Sequence, residues 1–107
     1  MIQGTTPTHK FNLPFNTDLI GKVRITYAQD NKVVLTKEAD HETAEENGMT
    51  FEEQAIIVNL TQEDTLAISS HVAAQIQMHI LTTGGDACAS NIVRVPAYRL
   101  LDRRVIT

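Results

Sequence analysis

From Val72 to Leu81 the chain alternates. Val72, Ala74, Ile76, Met78 and Ile80 form a wholly apolar set, and Ala73, Gln75, Gln77, His79 and Leu81 form a mostly polar one. A period of two marks a half-buried strand, whereas a helix face repeats every three and four residues. Gly84-Gly85 then supplies two residues that tolerate positive φ, as a tight hairpin turn demands, and a second alternating run follows. The pattern predicts a long antiparallel hairpin. Pairing Thr83 with Asp86 sets Ile80 against Ala89, Met78 against Asn91, Ile76 against Val93 and Ala74 against Val95, a face that is apolar except at Asn91. The other face then pairs His79 with Ser90, Gln77 with Ile92 and Gln75 with Arg94. A slip of one residue would mix the two faces.

Shorter runs repeat this alternation. Phe11, Leu13 and Phe15 alternate with Lys10 and Asn12, and Pro14 marks a strand end or an edge. Val23, Ile25 and Tyr27 oppose Lys22, Arg24 and Thr26. After "QDN" comes "KVVLTKE", and a three-residue loop with Asn31 in the left-handed region pairs Tyr27 with Val33 and Ile25 with Leu35. "AIIVNLT" at 55–61 has the β-branched density of a buried strand. Thr61 and Asp64 have the spacing of an N-cap and its acidic N3 partner, which predicts one helical turn crossing between sheets. Between 38 and 53 the apolar pattern lapses, and the Asn47-Gly48 turn dipeptide lies there. A poorly packed excursion with a short edge hairpin is expected.

Six or seven strands, closely spaced turn signals and one helical turn define an all-β, antiparallel, immunoglobulin-like sandwich, with a small closed barrel as runner-up. The 107 residues are expected to form a single domain, with 97–107 as a possible projecting tail. With three Phe, two Tyr and no Trp, the core must come from Val, Ile, Leu and Met.

A net charge of −4 without a basic block argues against nucleic acid as a partner. The single cysteine excludes an intrachain disulfide and a cysteine-built zinc site, which suits a reducing compartment. The N-terminal "MIQGTTPTHK" has no signal-peptide pattern, and no apolar stretch approaches the roughly 20 residues that span a bilayer.

Candidate chemistry is sparse. Asp40, His41, Glu42, Glu45 and Glu46 could be read as ligands for a hard cation, but their spacing matches no metal loop, and a solvated acidic surface is the expectation. In the register above, His79 and Cys88 are diagonal neighbours on the outward face. Neither an orienting group nor an oxyanion site adjoins them, so an inert thiol is expected. His9, His41 and His71 fall near strand ends or loops and are expected to be solvated. "TTGGDA" leads into a strand, whereas phosphate-binding glycine loops lead into a helix. No catalytic, metal or cofactor site is expected.

The last residues stand apart. Arg99, Arg103 and Arg104 lie among Leu100, Leu101, Val105 and Ile106. A tail both apolar and basic packs on something, and its charge is opposite to that of Glu42, Glu45 and Glu46. Ordinary solubility and a contact between subunits, acidic loop to basic tail, are the two readings.

"GTTPTHKFNLPF", "IGKVRITYAQDNKVVLTKE", "VNLTQEDTLAI", "VAAQIQMHILTTGGDACAS" and "IVRVPAYRLLD" occur in the order seen in small proteins of bacteriophages and prophages of gut Firmicutes. The chain resembles these from about residue 4 to residue 102, and departs from them in a longer, more acidic segment at 38–54. It is similar in layout to the N-terminal domain of phage baseplate upper proteins. The resemblance implies a non-enzymatic immunoglobulin-like virion or tail-region protein, without cofactor or membrane insertion. Its partners would be itself, as a homo-oligomer, or other phage structural proteins. Its place would be the virion, or the bacterial cytoplasm when expressed from a prophage. A carbohydrate- or surface-binding module is the alternative, and the scarcity of aromatic residues weighs against it.

Overall fold

A computed structural model describes residues 1–69, 72–90, 92–95, 97 and 105–106. In chain order the strands are β1 (Thr8–Asn12), β2 (Ile20–Gln29), β3 (Lys32–Ala39), β4 (Met49–Glu52), β5 (Ala55–Asn59), β6 (Ala74–Thr82), β7 (Ala87–Ala89) and β8 (Val93–Val95). Among the described residues one α-helix, α1 (Gln62–Leu66), connects β5 to β6. The smaller sheet has the order β1-β5-β4, and the larger one β3-β2-β6-β7, with β8 also on β6. β7 and β8 are two pieces of one interrupted strand along a single edge of β6, so the eight segments occupy seven lanes.

This strand order defines an all-β, antiparallel, immunoglobulin-like sandwich of the variable layout. β1, β5 and β4 take the places of strands B, E and D, and β3, β2, β6 and β7 those of C′, C, F and G. Among the described residues no strand fills the place of A beside β1.

The alternation read from the sequence directs the core. Val23, Ile25 and Tyr27 of β2 and Ala74, Ile76, Met78 and Ile80 of β6 are buried against Ile56 and Val58 of β5 and Met49 of β4. α1 forms where the capping spacing placed it. Asp64 N–H donates to Thr61 Oγ1 at 3.1 Å, and Thr61 N–H donates to Asp64 Oδ2 at 2.9 Å.

Both hairpins differ from expectation in register. Asp30 and Asn31 both adopt positive φ, 50° and 63°, and close a two-residue turn with Gln29 opposite Lys32. A bulge then skips Val34, so Tyr27 pairs with Leu35 and Ile25 with Lys37. At the glycine turn only Gly85 takes positive φ, 91°. Gly85 N–H donates to Thr82 O and Thr82 N–H to Asp86 O, leaving a loop of Thr83, Gly84 and Gly85. His79 therefore faces Ala89, and Ile80 faces Cys88. The expected pairs Ile76–Val93, Gln75–Arg94 and Ala74–Val95 do form, because the register shifts between β7 and β8. There Ser90 N–H donates to Met78 O, and its Oγ accepts from Met78 N–H.

The excursion after β3 is ordered. Asp40 Oδ1 accepts from Glu42 N–H, Thr43 N–H and the Thr43 hydroxyl. Ala44 and Met49 are buried. Gly48, φ 71°, closes a short 3-10 turn over Glu45–Asn47 and does not serve as a hairpin turn. The edge hairpin that follows, β4–β5, turns at Glu53-Gln54.

Candidate functional site: interaction surfaces

Asp40 to Gly48 carries the chain from the edge of the larger sheet to that of the smaller one, from β3 to β4. Glu42, Glu45 and Glu46 are exposed there, and no described cation pairs with any of them. Hydrogen bonds, chiefly from Thr43, hold the Asp40 carboxyl below its ordinary pKa. His41 Nε2 donates to Thr17 O at 2.9 Å, and its ring meets Phe51 edge-on at 4.8 Å. Among the described residues no group of three or more His, Cys, Asp or Glu is arranged to hold a metal ion.

Arg99, Leu100, Leu101, Arg103 and Arg104 lie outside the described residues, as do His71 and Tyr98. Val105 and Ile106 are 36% and 82% exposed. The main chain of Ile106 is nonetheless held. Gln62 Nε2 donates to Ile106 O, and Ile106 N–H donates to Gln62 Oε1, both at 2.8 Å. Gln62 was not singled out in the sequence. Its only signal was its place in the first turn of α1, where a polar side chain is ordinary.

The expected neighbourhood of His79 and Cys88 does not form. With Cys88 opposite Ile80, its side chain lies on the inward face, while His79 with Ala89 lies on the outward face. Cys88 is exposed even so. It lines a groove of about 420 Å³ with Met78, Ile80 and the β1–β2 connection at Leu13, Pro14 and Phe15. On the outward face, Glu38 bridges Lys22 and Arg24, beside His79 and Leu81, in a depression of about 220 Å³. Hydrogen bonds from Lys22 and then Arg24 depress the Glu38 pKa.

His9 is not solvated. It sits half-buried in β1, and its Nδ1 lies 2.8 Å from the Tyr27 hydroxyl. Burial, then the Asp64 charge, raises the Tyr27 pKa, and the neutral phenol shares one hydrogen bond with the His9 ring. Asp64 is itself paired with Lys37 at 2.7 Å, both largely buried. Burial of Asp64 opposes its charge, but the Lys37 and Thr61 hydrogen bonds outweigh it and lower its pKa. These two pairs link β1 to β2 and β3 to α1, and the Asp64 charge acts on Tyr27.

No protein-family model and no curated protein sequence matches the chain. Among solved structures it is similar to the V domain of amphioxus IgVJ-C2, at 13% identity over 91% of this chain and 96% of that one, with a TM-score of 0.32. A likeness at that score adds nothing to the strand order. Among the described residues no helix is long and apolar enough to cross a membrane.

Proposed function

We propose that the chain is a non-enzymatic structural protein of a bacteriophage or prophage particle, of its tail or baseplate region, assembling with itself or with other virion proteins. The observation that carries this reading is the anchoring of Ile106. Two main-chain hydrogen bonds fix it beside α1 while its side chain stands 82% exposed. A large aliphatic group held in water gains nothing until another surface covers it, at roughly 25 cal/mol per Å². The exposed Glu42, Glu45 and Glu46 offer a complement to the arginines of a second copy's tail, adding orientation more than affinity. The phage resemblance, from about residue 4 to 102, supplies the setting: the virion, or the host cytoplasm before assembly.

The alternative, a carbohydrate- or surface-binding module, finds less support. Tyr27 is fully buried, and Phe11, Phe15 and Phe51 pack against the core, which leaves these rings poorly placed to stack on a sugar. Deleting residues 99–107 tests the assembly reading. Light scattering should show a lower assembled mass, with the β-type circular dichroism retained. A full-length chain that is monomeric at high concentration and unfolds on truncation would reject it, and specific binding on a glycan array would favour the alternative.

A further inference from the structure

We propose that the free edge of β7 is a self-association surface, at which two copies of this chain pair antiparallel about a two-fold axis at Cys88. This surface is distinct from the acidic segment and the tail and does not depend on them.

Among the described residues β7 pairs only with β6, and all three of its residues are exposed. The hydrogen bonds fix which way its backbone points. Thr82 N–H donates to Asp86 O and Ser90 N–H to Met78 O, so pairs 82/86 and 78/90 face each other through their polar groups. Every second pair of an antiparallel ladder does this, so Cys88 also turns its N–H and C=O toward β6. Those of Ala87 and Ala89 point to the open edge.

Solvent-exposed edges are normally guarded by charge, proline, a bulge or a covering segment. On the opposite side of the sandwich, β3 carries Lys32, Lys37 and Glu38, and the Asp40–Gly48 segment spans the two sheets. Ala87, Cys88, Ala89 and Ser90 offer neither charge nor proline. Beside them the groove of about 420 Å³ opens onto Met78 and Ile80 of the core, on the side where no described strand takes the place of A.

The edge is its own complement. A two-fold axis at Cys88 sets Ala87 opposite the second copy's Ala89, and each such pair exchanges N–H to O bonds in both directions. No like charges meet, because Asp86 falls opposite the second copy's Ser90. Ile92, 59% exposed beyond the end of β7, extends toward the second copy's Gly84-Gly85 turn. Those two glycines have no side chains, and a Cβ added at Gly85 would meet nothing within 4 Å. The small residues of β7 let the backbones close, and the cyclic two-fold contact is self-limiting. An edge of three residues buries far less than the ~1,000 Å² of a stable interface, so the dimer is weak and concentration-dependent.

Cys88 supplies the readout. On the axis it forms a non-hydrogen-bonded pair, whose Cα atoms lie about 4.5 Å apart. A disulfide accepts about 4.4–6.8 Å. With oxidised glutathione added, one Cys88 thiolate forms a mixed disulfide and releases one reduced glutathione. The second copy's Cys88 thiolate then displaces the other glutathione and closes the protein disulfide.

Full-length chain should show a reversible monomer–dimer equilibrium in sedimentation, and a covalent dimer on oxidation. Ala87→Lys/Ala89→Lys faces lysine with lysine across the axis and should slow cross-linking about 10-fold, as should Ala87→Glu/Ala89→Glu. Mixing the two variants should restore the rate, which a merely misfolded variant cannot do. Cys88→Ser should lose the cross-link and keep the equilibrium, and deletion of 99–107 should keep both. A chain that stays monomeric throughout, as it would if the edge served a strand of another protein, overturns the proposal. So does cross-linking that the Lys and Glu variants leave unchanged.

Discussion

A hydrogen bond of 2.8 Å between His9 Nδ1 and the Tyr27 hydroxyl ties the first strand of the smaller sheet to the middle of the larger one. Immunoglobulin domains place a buried aromatic on strand C and commonly link their sheets by a disulfide. Here Tyr27 is the aromatic, and a single cysteine leaves no intrachain disulfide. Tyr27→Phe keeps the ring and leaves His9 Nδ1 without its partner, which should cost about 1–2 kcal/mol in urea melts. Tyr27→Ala should cost about 3–5 kcal/mol through the cavity it leaves.

The burial of His9 at this junction gives stability a pH dependence. Burial, and then the positive N-terminus, lowers the His9 pKa below its ordinary 6.5. The unfolded chain therefore binds a proton that the native state refuses. The contribution is complete above the unfolded value of about 6.5 and is lost as pH falls through it toward the lower native value. Tyr27 stays protonated throughout, while Asp64 and Lys37 remain paired. Melts from pH 7.5 down to 5 should show a stability decline that His9→Gln makes shallower. Parallel declines in the two proteins would place the effect on another histidine.

The sequence carried the inward faces of β2 and β6, because their alternation is uninterrupted, and it carried the α1 cap, because Thr61 and Asp64 have the spacing that satisfies orphan N–H groups. Ile76→Ala should therefore cost about 2–5 kcal/mol. Gln77→Ala should cost within about 1 kcal/mol, the worth of its bond to Ser90 O. Equal losses would place Ile76 outside the core. The registers beside the turns were not legible. Alternation does not say how many turn residues take positive φ, and that number decides whether Cys88 shares a face with His79 or with Ile80. The pairing of His9 with Tyr27 was hidden for another reason: it joins strands of different sheets, which no local pattern records.

Two glycines should respond in opposite ways. Gly48 has φ 71°, and an added Cβ would lie 2.7 Å from the Asn59 carbonyl oxygen, which accepts no large shift inside the β1–β5 ladder. Gly48→Ala should destabilise by more than about 1 kcal/mol. At Gly84 the nearest atom to an added Cβ is Thr82 Oγ1 at 3.9 Å, and φ is not positive. Gly84→Ala should be neutral, or stabilising by up to about 1 kcal/mol, by restricting the unfolded chain. Thermal melts of the two variants separate these outcomes, and a similar loss in both would mean that Gly84 also needs its conformational freedom.

Gln62 links the helix turn to the end of the tail, and its amide can be removed without disturbing the cap. The cap rests on Thr61 and Asp64, while Gln62 turns both polar atoms of its side chain to Ile106. Gln62→Met keeps the stem and a comparable helix propensity. The lost bonds are exposed, so global stability should change by less than about 1 kcal/mol. Hydrogen exchange at the Ile106 amide should rise toward that of an unprotected chain end, with the amides of β2 and β6 unaffected. If the display of Ile106 drives assembly, the variant should reproduce part of the mass lost when residues 99–107 are deleted. Faster exchange with unchanged assembly would separate the anchoring from the association and place the contact elsewhere on the sandwich.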